Sequence, residues 1–374
     1  MKLAILGSRG YPSTYGGYET LVRNIAPAWV GEGHDVTVYC RTRAPGGERA
    51  LSWTVDGVRC RWTPGYDSKS LSTLSFGASS HLDAALRGYD AALVLNVANG
   101  FCLPLLRARG IPTAVNTDGI EWERGKWGKN ARRIFYRGAV LTARNADVLV
   151  ADSQAIAGTW KRLFDAPATF IPYGAPVLQG MGEERTRELG LSRRGYVLVV
   201  ARLMPENNVE LTLDALELMP ERPQAVIVGS ANYASPIEAR LTEASRNGRL
   251  LWLGHVHDQE LLTQLWANCG AYVHGHSVGG TNPALLQALG AGAPALALDT
   301  EFNREVITSE EQLFPPRPED LAMRLEVLLA DPDRQARFSE HGRAVVAERY
   351  SWDDVSAAYL DALSEACLRR RGHR

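Results

Sequence analysis

The stretch KLAILGSRGYPSTYGGYE, residues 2–19, sets the fold class. KLAILG is a short apolar run ending in glycine, the pattern of a strand buried on both faces of a parallel sheet. A glycine-rich segment follows, and then Leu21, Val22, Ile25, Ala26 and Trp29 recur at helical spacing. GEGHD (31–35) turns the chain, and VTVYC (36–40) predicts a second strand. Strand, glycine loop, helix and strand make one β-α-β unit with its glycines at the first turn.

The alternation continues. AALVLNV (91–97), TAVNTDG (113–119) and DVLVADS (147–153) predict further strands with helical segments between them. A second series starts at YVLVVAR (196–202), has a helix around 208–219, and runs through QAVIVGS (224–230), LLWLGHV (250–256), AYVHGH (271–276) and APALALD (293–299). Such alternation predicts an α/β protein with two parallel, doubly wound, Rossmann-like halves facing a cleft. IPYGAPV (171–177), with two prolines and a glycine, places the linker. The expected domains are therefore 1–172 and 173–350, followed by an amphipathic helix over 351–374. The Ser- and Gly-rich segment 64–80 predicts a surface loop.

Bulk properties narrow the class. A chain of 374 residues is long enough for two domains. Its formal net charge of −1 argues against bulk nucleic-acid binding, which wants a basic domain. The 5 cysteines are scattered and form no CxxC pair, so neither a zinc site nor a disulfide framework is expected. No apolar run reaches the ~18 residues of a membrane span, and MKLAILGSRG lacks the long apolar core of a signal peptide. A cytoplasmic location is the expectation. The glycine loop is not GxGxxG, YCRTR (39–43) offers no acidic residue for a nicotinamide ribose, and GxxxxGK[ST] is absent. An NAD enzyme and a P-loop NTPase are thereby disfavoured.

HSVGGTNPALLQALGAG (276–292) is the second telling stretch. Asn282 before Pro283 predicts a helix start, with asparagine as cap and proline in the first turn. Gly279 and Gly280 let the backbone approach a ligand, and free N–H groups at the helix start would favour an anion. Two readings fit: a phosphate cradle that includes Thr281, or a tight turn whose glycines serve sterics alone.

Taken together, GSRGYPSTYGGYET, NTDGIEWERGKWGK (116–129), ADSQAI (151–156), FIPYGA (170–175), ARLMPENN (201–208), GHSVGGTNP (275–283) and FNREV (302–306) resemble the retaining GT4-type glycosyltransferases of GT-B fold, in particular a bacterial rhamnosyltransferase-like subgroup. The resemblance spreads over most of the chain. It implies transfer of a sugar, a deoxyhexose such as rhamnose, from a dTDP-, UDP- or GDP-linked donor to a hydroxyl of a saccharide or natural product. It also implies that the carboxyl-terminal domain holds the donor, that the final helix crosses back to the amino-terminal domain, and that no metal or other cofactor is needed. A nucleotide-sugar-binding subunit with weak or no turnover is the alternative.

Residue roles follow from the same resemblance. Arg202 pairs with the donor diphosphate. Most GT4 enzymes add a lysine nearby, but here those positions are Glu206, Asn207 and Asn208, which leaves Asn207 as a neutral donor-side group and Arg304 or Arg9 as the replacement cation. Of two glutamates usual in the donor site, the first position is Gly279 and the second is Gln287, at the nucleotide ribose. Gly16 and Gly17 approach the donor, or form a helix-entry turn. Asp118 orients or deprotonates the acceptor hydroxyl, or forms an Asp-Gly turn; Tyr15 and Glu121 are its acceptor-side neighbours. Glu305 faces sugar hydroxyls. His274 and His276 lack companion metal ligands, so hydrogen bonding is their expected role. Finally, 124–144 holds seven Lys or Arg and no Asp or Glu, with Trp127, Phe135 and Tyr136 interleaved. That segment is either a peripheral contact to anionic lipid at the inner membrane face or a solvated helix face.

Overall fold

The computed structural model describes residues 1–13, 16–43, 50–66, 72–117, 119–123, 127–231 and 236–372. Two compact units emerge: Met1–Tyr173 with Trp352–Arg374, and Gly174–Ser351.

Unit 1 runs β1 (Lys2–Leu6), α1 (Gly17–Gly31), β2 (Asp35–Cys40), β3 (Ser52–Val55), β4 (Val58–Trp62), α2 (Ser72–Arg87), β5 (Ala91–Leu95), α3 (Leu103–Ala108), β6 (Thr113–Asn116), α4 (Lys129–Asn145), β7 (Val148–Ala151), α5 (Gln154–Phe164) and β8 (Ala168–Phe170). Among the described residues these strands form one sheet in the order β3-β4-β2-β1-β5-β6-β7-β8. All neighbours pair in parallel except β3 with β4. That hairpin turns at Asp56 and Gly57, both at positive φ (50° and 75°), the Asp-Gly signature of a two-residue turn.

Unit 2 runs α6 (Glu184–Glu188), β9 (Tyr196–Val200), α7 (Val209–Leu218), β10 (Gln224–Val228), α8 (Pro236–Arg246), β11 (Leu251–Gly254), α9 (Gln259–Asn268), β12 (Ala271–His274), α10 (Pro283–Ala291), β13 (Ala295–Leu298), α11 (Glu301–Val306), β14 (Leu313–Phe314), α12 (Pro318–Leu329) and α13 (Pro332–Arg349). Its sheet is parallel throughout, in the order β11-β10-β9-β12-β13-β14. Inside it, Val197, Val199, Val273 and Leu296 pack on Leu213, Leu321 and Leu325 from the helices. Strands β5, β7, β9 and β13 are apolar at every position, as covering on both faces requires.

The last helix, α14 (Trp352–Gly372), belongs to unit 1. It packs on α1 and on β5, β6 and β7. Three polar contacts fix it: the indole of Trp29 donates to the Ser356 carbonyl at 3.3 Å, the Asn116 amide donates to the Tyr359 hydroxyl at 2.5 Å, and Arg370 pairs with Asp147 at 2.6 Å. The arginines that close this helix thus bind the edge of β7 as well as complementing the helix dipole.

The segment 64–80 is not a loop throughout, because α2 begins at Ser72. Its serines defeat the composition argument by folding their hydroxyls back onto the helix: Ser75 donates to Ser72, Ser79 to Phe76 and Ser80 to Gly77 carbonyls at 3.1–3.3 Å. His81, one turn further, is fully buried and donates its Nδ1–H to the Gly77 carbonyl at 2.7 Å.

Two stability outcomes follow. Arg370 and Asp147 are only 12% and 10% exposed, and the Asp147 carboxylate also accepts the Thr113 N–H at 2.8 Å. Arg370→Ala leaves that carboxylate short of its cation, and urea unfolding should register a loss of about 3 kcal/mol. Burial pushes His81 down to about 4. Its ring is neutral when folded, whereas the unfolded ring takes up a proton below about 6.5, so its contribution is present at neutral pH and is lost as pH falls from about 6.5 towards 4. Between pH 7 and pH 5 the protein should lose about 2 kcal/mol more than His81→Gln does; parallel losses in the two proteins would contradict this.

Candidate functional site

In unit 2 the strand order reverses between β9 and β12, the point where open parallel sheets take ligands beyond their carboxyl ends. Two loops meet there: 201–208 after β9 and 275–282 after β12. The Glu206 carbonyl accepts both the N–H and the hydroxyl of Ser277 at 2.9 Å. The Asn208 amide donates to the Gly275 carbonyl at 2.8 Å. Gly275 is needed for this close approach, since a Cβ there would lie 2.6 Å from the Asn207 carbonyl oxygen.

Arg202 projects from this junction and is exposed. Asn207, expected on the donor side, is buried instead, and its amide donates to the Arg202 carbonyl at 2.8 Å. It shapes the loop that presents Arg202. Asn303, from the FNREV motif, ties the opposite wall by donating to the His276 and Leu298 carbonyls at 3.0 and 2.8 Å.

Asn282 caps α10 as the sequence predicts, and its side chain accepts the Ala284 N–H at 2.9 Å. The expectation of free donors within the helix start fails, however. Pro283 has no N–H, Ala284 is capped, and Leu285 and Leu286 both donate to the Asn282 carbonyl. The donors left over lie one step earlier. The N–H groups of Gly279, Gly280 and Asn282 make no hydrogen bond among the described residues. Gly279 sits at φ +122° with open space where a side chain would go, so backbone conformation rather than crowding selects glycine. Thr281 is buried beside them, and Gln287 is partly exposed one turn into α10.

Arg304 and Glu305 lie on α11, whose cap is the Thr300 hydroxyl. Arg304 is not a spare cation. Its guanidinium forms a fork on Asp299 at 2.5 and 2.8 Å and also pairs with Glu310. Glu305 is partly exposed, and its backbone carbonyl accepts from Arg349 and the Tyr350 hydroxyl.

His274 and His276 stack at 4.3 Å with rings 10° apart. His274 is fully buried, its Nδ1 lies 3.2 Å from the Tyr272 hydroxyl, and its Nε2 has no partner among the described residues. Burial and then the neighbouring ring hold it well below the ordinary histidine value. Burial, followed by the charge of Arg202, pushes His276 down to about 3.

In unit 1 the corresponding reversal lies between β1 and β5. Gly16 caps α1, and Gly17 abuts the Tyr173 hydroxyl, 2.9 Å from where a Cβ would stand. Glu19, which the sequence did not single out, is buried and accepts the Arg9 N–H at 2.9 Å, closing the glycine loop. Glu121 is buried and accepts the Trp127 indole at 2.8 Å. Tyr15 and Asp118 lie outside the described residues. A small recess is lined by Gly7, Ser8, Arg41, Thr63, Phe76 and Ser80. No sequence signal marked it, because its lining comes from four separate segments.

The basic segment forms α4, with 124–126 outside the described residues. Gly138, Ala139 and Thr142 face inward. Helical spacing puts Lys129, Arg133, Tyr136, Arg137, Val140 and Arg144 on the opposite face. All but Val140 are exposed, and neither Arg133 nor Arg137 has an acidic partner among the described residues. No described helix is long and apolar enough to cross a membrane. Among the described residues no cluster of three His, Cys, Asp or Glu side chains is placed to hold a metal ion.

Comparison with known proteins follows the same division. Residues 183–345 match the family model for glycosyl transferases group 1, and residues 16–174 match the glycosyl transferase 4-like domain. A GDP-mannose-dependent monoacylated alpha-(1-6)-phosphatidylinositol monomannoside mannosyltransferase of Corynebacterium glutamicum is 27% identical over 227 residues, 55% of this chain and 59% of that protein. The match thus spans well under two thirds of the relative's length. Sucrose-phosphate synthase from Thermosynechococcus elongatus superposes with a TM-score of 0.82 at 18% identity, covering 96% of this chain and 97% of that one. HepE of Anabaena in complex with UDP-glucose gives 0.76 at 17% identity over 97% and 99%. With its two units matching the two family models in order and its fold that of these enzymes, the chain belongs to the group 1, GT4-like glycosyltransferases of GT-B fold.

Proposed function

We propose that this protein moves a sugar, a deoxyhexose such as rhamnose, from a nucleoside-diphosphate sugar to a hydroxyl of a saccharide or natural product, with retention at the anomeric carbon. The observation that supports this best is the pairing, at one junction, of the exposed Arg202 with the unclaimed N–H groups of Gly279, Gly280 and Asn282. Oriented amides and a guanidinium stabilise the charge that develops on a departing diphosphate. Gln287 would meet the ribose, with one acceptor oxygen and two donor hydrogens. Glu305 would meet the sugar hydroxyls, and unit 1 would hold the acceptor near Gly16, Gly17, Tyr15 and Glu121, with Asp118 orienting or deprotonating the attacking hydroxyl. The donor requires no metal in this scheme, because the cation and the amides carry the phosphate charge.

The occupied Arg304 and the uncharged Gln287 favour a second reading, a nucleotide-sugar-binding subunit with slow turnover. Assay of the purified chain with dTDP-rhamnose, UDP-glucose and GDP-mannose separates the two. Transfer or donor hydrolysis is expected with at least one, and Arg202→Ala should cut kcat about 100-fold or more. Binding without turnover of any donor would leave the second reading standing. Gln287→Glu should tighten donor binding about five-fold, as charge assistance to a ribose hydroxyl is restored.

The outward face of α4 suits an acidic lipid surface, on which its cations Arg133 and Arg137 would sit. The protein should co-sediment with vesicles containing phosphatidylglycerol and not with phosphatidylcholine alone. Arg133→Glu with Arg137→Glu should abolish that difference. Equal sedimentation with both vesicle types would remove the membrane from the proposal.

A further inference from the structure

Arg202 is exposed at this junction, and a doubly charged leaving group calls for a second stabilising group beside it. The residues in the expected place do not supply it: Glu206 is acidic, Asn207 is turned into its own loop, and Arg304 is held by two carboxylates. His276 stands at the same junction, after β12 and directly before Ser277, whose N–H and hydroxyl tie the two loops together.

Two features restrain the His276 ring, and a third sets where its proton lies. Its face is stacked on the buried ring of His274. Its backbone is held through the Asn303 amide. Its Nδ1 is sealed from solvent with no partner, and the ring makes no side-chain hydrogen bond among the described residues. A buried N–H without an acceptor is costlier than a buried lone pair without a donor, so the proton belongs on Nε2, the nitrogen that is not sealed off. Burial and Arg202 both oppose a second proton. The ring is therefore a rigid, neutral, one-proton donor beside the arginine.

We propose that His276 Nε2–H donates a hydrogen bond to a phosphate oxygen of the nucleoside diphosphate, completing the site that Arg202 and the Gly279–Gly280 amides begin. This rests on the reading of unit 2 as the donor site. The ligand class is a nucleoside diphosphate, and the role is that of a binding residue whose donation strengthens as the leaving phosphate gains charge. A neutral donor also avoids placing a second full charge next to Arg202.

The test uses the full chain with UDP, GDP and dTDP, taking the tightest binder and its parent nucleoside. His276→Phe keeps a flat ring on His274 but removes the donor, and calorimetry should show diphosphate binding weakened about ten-fold with nucleoside binding unchanged. His276→Gln places an amide N–H near the Nε2 position and should recover most of the affinity. The imidazole ¹⁵N signal of Nε2 should shift on titration with the diphosphate. Unchanged affinity in His276→Phe, or equal loss for nucleoside and diphosphate, would overturn the role of His276 while leaving the donor site in place. Failure of the unaltered protein to bind any of the three diphosphates would overturn the donor-site reading together with it.

Discussion

One backbone carbonyl, that of Glu206, ties together the two loops at the switch point of unit 2. It takes two hydrogen bonds from Ser277 and so locks the loop after β9 to the loop after β12. Sheet topology brings these loops to the same edge, but topology alone leaves them free to part. The paired bonds, with Asn208 on Gly275 and Asn303 on His276, turn two flexible connections into one rigid rim. Arg202 and the amides of Gly279 and Gly280 inherit their positions from that rim. Fixed dipoles need no reorganisation when charge moves, which is the condition for strong electrostatic stabilisation of a transition state.

Much of this architecture was legible in the sequence. The apolar strands of parallel sheets are continuous rather than alternating, so β1, β5, β9 and β12 stand out by composition alone. Asn282-Pro283 announced a helix start for a physical reason that the structure repeats, the capping of Ala284. The hairpin of β3 and β4 was missed even though Asp56-Gly57 is a strong local turn signal, because its flanking residues are too polar to show as strands. The start of α2 was hidden by serines whose hydroxyls satisfy themselves within the helix.

The site was legible in part, and its limits have a common cause. Sequence reading assigns a residue type to a position but cannot tell which way a side chain turns. Asn207 has the chemistry to face a donor and faces its own loop. Arg304 carries the right charge and spends it on Asp299 and Glu310. The anion donors were placed in the helix start, yet the cap that makes the start stable also consumes them. A cap and an anion would compete for the same N–H groups, and here the N–H groups left over among the described residues lie at Gly279, Gly280 and Asn282, before the first turn.

The return of α14 to unit 1 has a consequence for the order in which the molecule is made. Synthesis runs from the amino terminus, and domains ordinarily fold as they emerge. Unit 2 ends at Ser351, whereas unit 1 still lacks the partners of Trp29, Asn116 and Asp147 until Ser356, Tyr359 and Arg370 are present. The first unit to be started is therefore the last to be finished. While unit 2 folds, the apolar surface that α14 will cover waits open on the nascent chain, and α14 closes unit 1 only after unit 2 has been made.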